Sequence, residues 1–165
     1  MKKSKLGIVT ILLSIGIAVL GIFCYTQKKY LKVVNLKYYK FKKYYQMFNK
    51  WIQISHEKGS IIEQFHSKNI KTIAIYGNGE IGNRLYNELD KSDIQVLYIF
   101  DKSANDIAMF NGDNVKINSI NDLMNFEDDI DCIIVTPVHE YEKIKSEIEA
   151  VSKVKVYSLE DILFN

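Results

Sequence analysis

The chain has 165 residues, 47% hydrophobic and 25% charged, with one proline and eight glycines. That allows one domain of ordinary size with an accessory segment, and it excludes a disordered or collagen-like chain. The formal net charge of +2 conceals a split, because residues 1–56 hold eleven lysines and no acid while residues 57–165 hold eleven basic and twenty acidic side chains. The positive charge therefore lies outside the stretch that reads as globular, which argues against nucleic acid as a partner.

Residues 6–25, LGIVTILLSIGIAVLGIFCY, form an uncharged run of twenty. As a helix at ~1.5 Å per residue this spans ~30 Å, the thickness of a bilayer's hydrocarbon core. A cleaved signal peptide is the alternative, since Lys2, Lys3 and Lys5 make a basic leader. The run exceeds the usual ~7–15 residue apolar region of such a signal, and no A-x-A-like site follows it. Cys24 suggests a lipoprotein signal, but Phe23 stands where that signal carries a small residue. An uncleaved, single-pass anchor in the cell membrane is the reading retained. Lys28, Lys29, Lys32, Lys37, Lys40, Lys42 and Lys43 follow the span and outnumber the three lysines before it. The positive-inside rule then places the C-terminal domain in the cytoplasm and a short N-terminal tail outside. With Cys24 and Cys132 alone there is no disulfide framework, which agrees with a reducing compartment.

Residues 28–58 read as a Lys/Tyr-rich juxtamembrane helix, between an anchor at 1–27 and a domain at 59–165. Leu31, Val34, Tyr38, Phe41, Tyr45, Phe48 and Ile52 are spaced 3, 4, 3, 4, 3, 4, a heptad seam with lysines on the other faces. Three uses fit it: pairing with a second copy through residues 31–52, contact with anionic lipid, or packing on the chain's own domain.

Beyond Gly59, Ser60 and Glu63 have the spacing of a capping box at the start of a short helix. Strands are expected at 71–76, 94–100, 114–117, 131–136 and 154–157, separated by a helix carrying Ile81, Leu85 and Leu89 at helical spacing and by helices at 119–125 and 139–151, and followed by one at 159–164. Such alternation implies a small α/β fold of Rossmann type, a doubly wound parallel sheet of about five strands ordered 3-2-1-4-5. Between the first strand and its helix lies Gly77-Asn78-Gly79-Glu80-Ile81-Gly82, a G-x-G-x-x-G loop in the context the motif requires. Gly77 permits the turn, Gly79 lets backbone approach a pyrophosphate, and Gly82 allows close helix–strand packing. The phosphates would lie on the free N–H groups that open the helix. Asp101, nineteen residues past Gly82, is placed to accept hydrogen bonds from a ribose diol and to favour NAD over NADP. Thr136, Pro137 and His139 end the fourth strand at the same edge, where ligands bind in such sheets. The competing reading is a loop whose glycines serve geometry alone.

The segments AIYGNGEIGNRLYNEL, YIFDKSA, DCIIVTPV and YSLEDIL resemble small bacterial Rossmann-like domains described as nucleoside-diphosphate-sugar epimerase-like or CoA-binding-like, which accompany surface-polysaccharide enzymes. The resemblance covers about residues 46–165. It implies nucleotide or nucleotide-sugar binding at Gly77, Gly79, Gly82 and Asp101, and a glycan-biosynthesis enzyme as a partner.

Catalysis has fewer supports. Tyr141 and Lys145 match the Tyr-x-x-x-Lys spacing of epimerases and short-chain dehydrogenases, although there the pair lies much further beyond the glycine loop. His139 is a candidate general base. No metal-ligand spacing involves His56, His66 or the acids Asp128, Asp129 and Asp131. Residues 70–165 make one nucleotide-binding unit with no second domain to cover a reacting atom. Three functions follow: a membrane-anchored binding or regulatory module, an NAD-dependent epimerase or dehydrogenase completed by a partner chain, or a scaffold with an empty domain.

Overall fold

The computed structural model describes residues 2–57, 60–104 and 116–164. Gly59 and the first two positions of the strand expected at 114–117 lie outside them. The chain divides into two compact units, Met1–Lys42 and Lys43–Asn165.

The first unit is α-helix throughout its described residues and belongs to α1, Lys2–Glu57. It contains a stretch long and apolar enough to cross a membrane, with a mean hydropathy of 1.8 and none of it buried.

The second unit is α/β. After the last turns of α1 come α2 (Ile61–Ser67), β1 (Thr72–Tyr76), α3 (Glu80–Leu89), β2 (Gln95–Phe100) and β3 (Ile117–Asn118). Two short 3₁₀ turns lead to β4 (Cys132–Val135), a third to α4 (Tyr141–Glu149), and β5 (Lys155–Ser158) runs into α5 (Leu159–Phe164). The five strands form one sheet ordered β3-β2-β1-β4-β5, and every neighbouring pair is parallel.

Alternation along the central strands builds two cores. Ile73 and Ile75 of β1, Ile99 of β2, and Cys132 and Ile134 of β4 face one layer, made of Leu85 and Leu89 of α3, Phe65 of α2, and Leu159 and Ile162 of α5. Ala74, Tyr76, Phe100, Ile133 and Val135 face the other, closed by Leu123, Ile144 and Ile148. Burial on both faces explains why β1 and β4 read as continuous apolar runs.

The first core also takes Met47, Trp51 and Ile54 from the end of α1, all buried, with Tyr44 and Phe48 packed against them. The spacing of Met47, Trp51 and Ile54 is 4 and 3, and of the heptad seam Phe48 borders this face while its neighbours Tyr45 and Ile52 do not. Tyr45 and Ile52 of the seam remain 60% and 56% exposed. Met47, Trp51 and Ile54 are the side that the first core covers instead. The compact unit accordingly begins at Lys43, with Lys43 Nζ 2.7 Å from Glu160 of α5.

The capping box is not where spacing suggested. Ser60 has the extended backbone of an N-cap, yet its side chain makes no capping bond. The reciprocal pair forms instead at α5, where the Glu160 N–H donates to Ser158 Oγ (3.2 Å) and the Ser158 N–H donates to Asp161 Oδ2 (2.8 Å).

Candidate functional site at the carboxyl edge of the sheet

The loop leaving β1 turns sharply at Gly77, whose φ of +114° suits only glycine. A Cβ there would meet Thr136 Oγ1 at 2.6 Å and Pro137 Cδ at 2.9 Å. A Cβ on Gly82 would lie 2.0 Å from the Gly77 carbonyl oxygen. These two glycines therefore have steric reasons inside the fold. Gly79 has none among the described residues: its backbone is extended (φ −95°, ψ −179°), and a Cβ would meet none of their atoms within 4 Å. Gly79 is also the N-cap of α3 and offers no side-chain acceptor. A helix of ten residues thus opens without a side-chain cap from its N-cap residue, and its first N–H groups meet no capping side chain among the described residues.

Asp101 is joined to this loop. The Asn78 N–H donates to Asp101 Oδ2 at 2.7 Å, and the Ser103 N–H donates to Asp101 Oδ1 at 2.8 Å. The carboxylate ties the glycine loop to the end of β2. Each oxygen keeps a second lone pair, so a ribose diol can still be accepted beside these bonds. The Ser103 contact is an Asx turn, for which an Asp with Ser two residues on is the sequence signal.

Thr136 and Pro137 support the loop from behind. Thr136 is buried, and its hydroxyl donates to the Tyr76 carbonyl at 3.1 Å. Pro137 (φ −73°, ψ 66°) centres an inverse γ-turn closed by the Val138 N–H to the Thr136 carbonyl at 2.8 Å. Both residues press on Gly77 and set its position. Glu80 is exposed at the first helical position, Asn78 and Ile81 are half-buried, and Gly82 is buried.

The candidate catalytic groups are engaged elsewhere. His139 Nδ1 and the Tyr44 hydroxyl are hydrogen-bonded at 3.0 Å, with the rings edge to face at 5.5 Å. Glu140 lies 3.4 Å from the other ring nitrogen. Burial and the Glu140 charge raise the Tyr44 pKa. His139 thus pins the end of α1, a partner that the sequence offered no spacing rule to find. The Tyr141 hydroxyl donates to the Val156 carbonyl at 3.1 Å. Burial, followed by the charges of Asp161, Glu142 and Glu149, pushes its pKa up to about 12. Lys145 lies over the ring face, 5.8 Å from its centroid, and 3.8 Å from Glu149. An epimerase-type tyrosine needs its pKa lowered by lysine; here the acids act in the opposite direction. Cys132 is buried in β4 and its thiol is likewise pushed up to about 12, first by burial and then by Asp131. It is a core residue with little thiolate character.

Among the described residues, no three His, Cys, Asp or Glu side chains come together to hold a metal. Asp129 accepts from the Tyr98 hydroxyl at 2.7 Å. Asp131 accepts from two backbone N–H groups at the opposite edge of the sheet. His66 pairs with Asp93 at 2.8 Å on the surface.

A family model described as C2185-like, N-terminal, matches residues 69–157. This is more than half of the chain, and the chain belongs to that family. No curated protein matches it.

Proposed function

We propose that this member of the C2185-like N-terminal family is a nucleotide-binding or regulatory module of Rossmann type. In this reading α1 anchors it in the cell membrane, with the domain on the cytoplasmic side. NAD or a nucleotide-sugar is the ligand class, and surface-glycan biosynthesis is the setting suggested by the resemblance. The observation that carries the reading is Gly79. The fold gives reasons for Gly77 and Gly82, whereas Gly79 leaves open space before uncapped helix N–H groups. That space and those donors suit the diphosphate of a nucleotide. Asp101 lies beside them through Asn78, in position for the ribose.

A binding role is favoured over catalysis because Tyr141 and His139 are committed to structural hydrogen bonds. Glu80 adds a sign to the electrostatics. Its exposed carboxylate at the start of α3 favours the empty helix end and repels a bound anion.

The test uses the full-length chain in detergent and a thermal-shift panel of NAD, NADP, CoA, UDP-sugars and GDP-sugars. A ligand at ~100 times its Kd adds about 2.7 kcal/mol to stability. The expected result is one ligand class that shifts the melting transition of the wild type. That shift should vanish in Gly79→Val, weaken in Asp101→Ala and strengthen about two- to fivefold in affinity in Glu80→Gln. No shift with any member of the panel overturns the reading.

A further inference from the structure

We propose that the membrane-proximal part of α1 is one half of a heterotypic coiled coil, whose partner is a helix with an apolar heptad seam and acidic flanks. Within the first unit, Leu31, Val34, Tyr38 and Phe41 follow at spacings 3, 4 and 3, and are 55%, 39%, 65% and 71% exposed. Lys37 and Lys42 border this stripe at the two positions that flank a heptad seam and set the choice of partner.

Charge decides against a second copy. Parallel pairing of two anchored chains sets Lys37 of each against Lys42 of the other. No acid occurs anywhere among residues 1–56 to relieve that repulsion. Geometry decides against lipid, given the membrane span proposed above. At ~1.5 Å per residue, a helix leaves the headgroup layer of about 5–7 Å within about five residues. Tyr38 and Phe41 stand thirteen and sixteen residues beyond Tyr25 in an unbroken helix. What complements an apolar stripe between lysines, above a membrane, is a helix with glutamates or aspartates at those flanks.

The test places the full-length chain in phosphatidylcholine nanodiscs with two labelled helical peptides. Both carry Leu and Ile on the seam; one has Glu and the other Lys at the flanks. Anisotropy should show the Glu peptide binding at least about tenfold tighter, and weakening several-fold between about 50 and about 500 mM salt. Lys37→Glu with Lys42→Glu should reverse the preference, and Phe41→Glu should abolish binding of either peptide. These positions are exposed, and an unchanged melting transition of the second unit verifies folding. Equal binding of the two peptides, binding of neither, or a stable dimer of the chain itself overturns the proposal. Alkaline extraction scores the span separately. An extractable chain removes the argument against lipid and overturns the proposal on that ground, while an inserted chain without peptide preference overturns it alone.

Discussion

The two edges of the sheet each carry an aspartate that accepts two backbone N–H groups, and they differ in what is left over. At the amino edge, Asp131 Oδ2 takes the N–H groups of Lys71 (2.8 Å) and Thr72 (2.9 Å). Its own N–H returns to the Thr72 carbonyl at 2.8 Å, and the Gln95 N–H reaches the Lys71 carbonyl at 2.7 Å. Donors and acceptors there answer one another. At the carboxyl edge, Asp101 ties down Asn78 and Ser103, but the helix end after Gly79 keeps donors without a side-chain cap. The comparison teaches that a carboxylate at a strand end does not mark a site. What distinguishes the carboxyl edge is a helix start that its N-cap residue does not cap.

That contrast can be broken most forcefully within the glycine loop. Gly82→Val drives a side chain into the Gly77 carbonyl, and should cost about 3–5 kcal/mol, enough to abolish the cooperative melt of the second unit. Gly77→Ala strains a φ of +114° and crowds Thr136. A loss of about 2–3 kcal/mol in chemical denaturation is expected.

At the opposite edge, Asp131→Asn should cost about 1 kcal/mol at neutral pH, kept small by solvent exposure. Its two backbone N–H bonds hold the Asp131 carboxyl below the usual carboxylate range. The folded value therefore lies below the unfolded one, which is about 3.9. The stabilisation is complete above the unfolded value and disappears as pH falls through the folded one. Wild type should lose stability more steeply than Asp131→Asn on acidification below about pH 4. An identical acid profile would remove Asp131 from the account. Gly79→Ala approaches it from the other side: stability should stay within about 0.5 kcal/mol, while the nucleotide binding proposed above should fall.

Much of the sheet was legible because its signals are local. KTIAIY and DCIIVT are short β-branched runs buried on both faces, and the glycines and Asp101 mark where strands end. Alternation with helices then leaves few parallel arrangements. Less local features were harder to read. The third strand, expected at 114–117, pairs among the described residues through Ile117 and Asn118, a stretch in which periodicity hardly registers. Ser60 and Glu63 had the spacing of a capping box, but spacing cannot show whether a hydroxyl turns to the helix. Ser158 and Asp161 carry an equivalent spacing and do form it. The inward side of α1 depends on the surfaces of α2, α3 and α5, which no pattern within α1 encodes. His139 found Tyr44 for the same reason: the contact joins residues ninety-five positions apart.

The position of Trp51 has a practical consequence. It is the single tryptophan of the chain, 4% exposed, and it enters the core from the last turns of α1. Its indole N–H bonds the Glu88 carboxylate, whose pKa is raised by burial against the opposing effects of Trp51 and Arg84. The molecule thus carries its own optical gauge. Emission from this one fluorophore will lie toward the blue while the helix is seated, and move red when the last turns of α1 lift away. A fragment cut after that position would lose both the gauge and part of the hydrophobic interior it reports on.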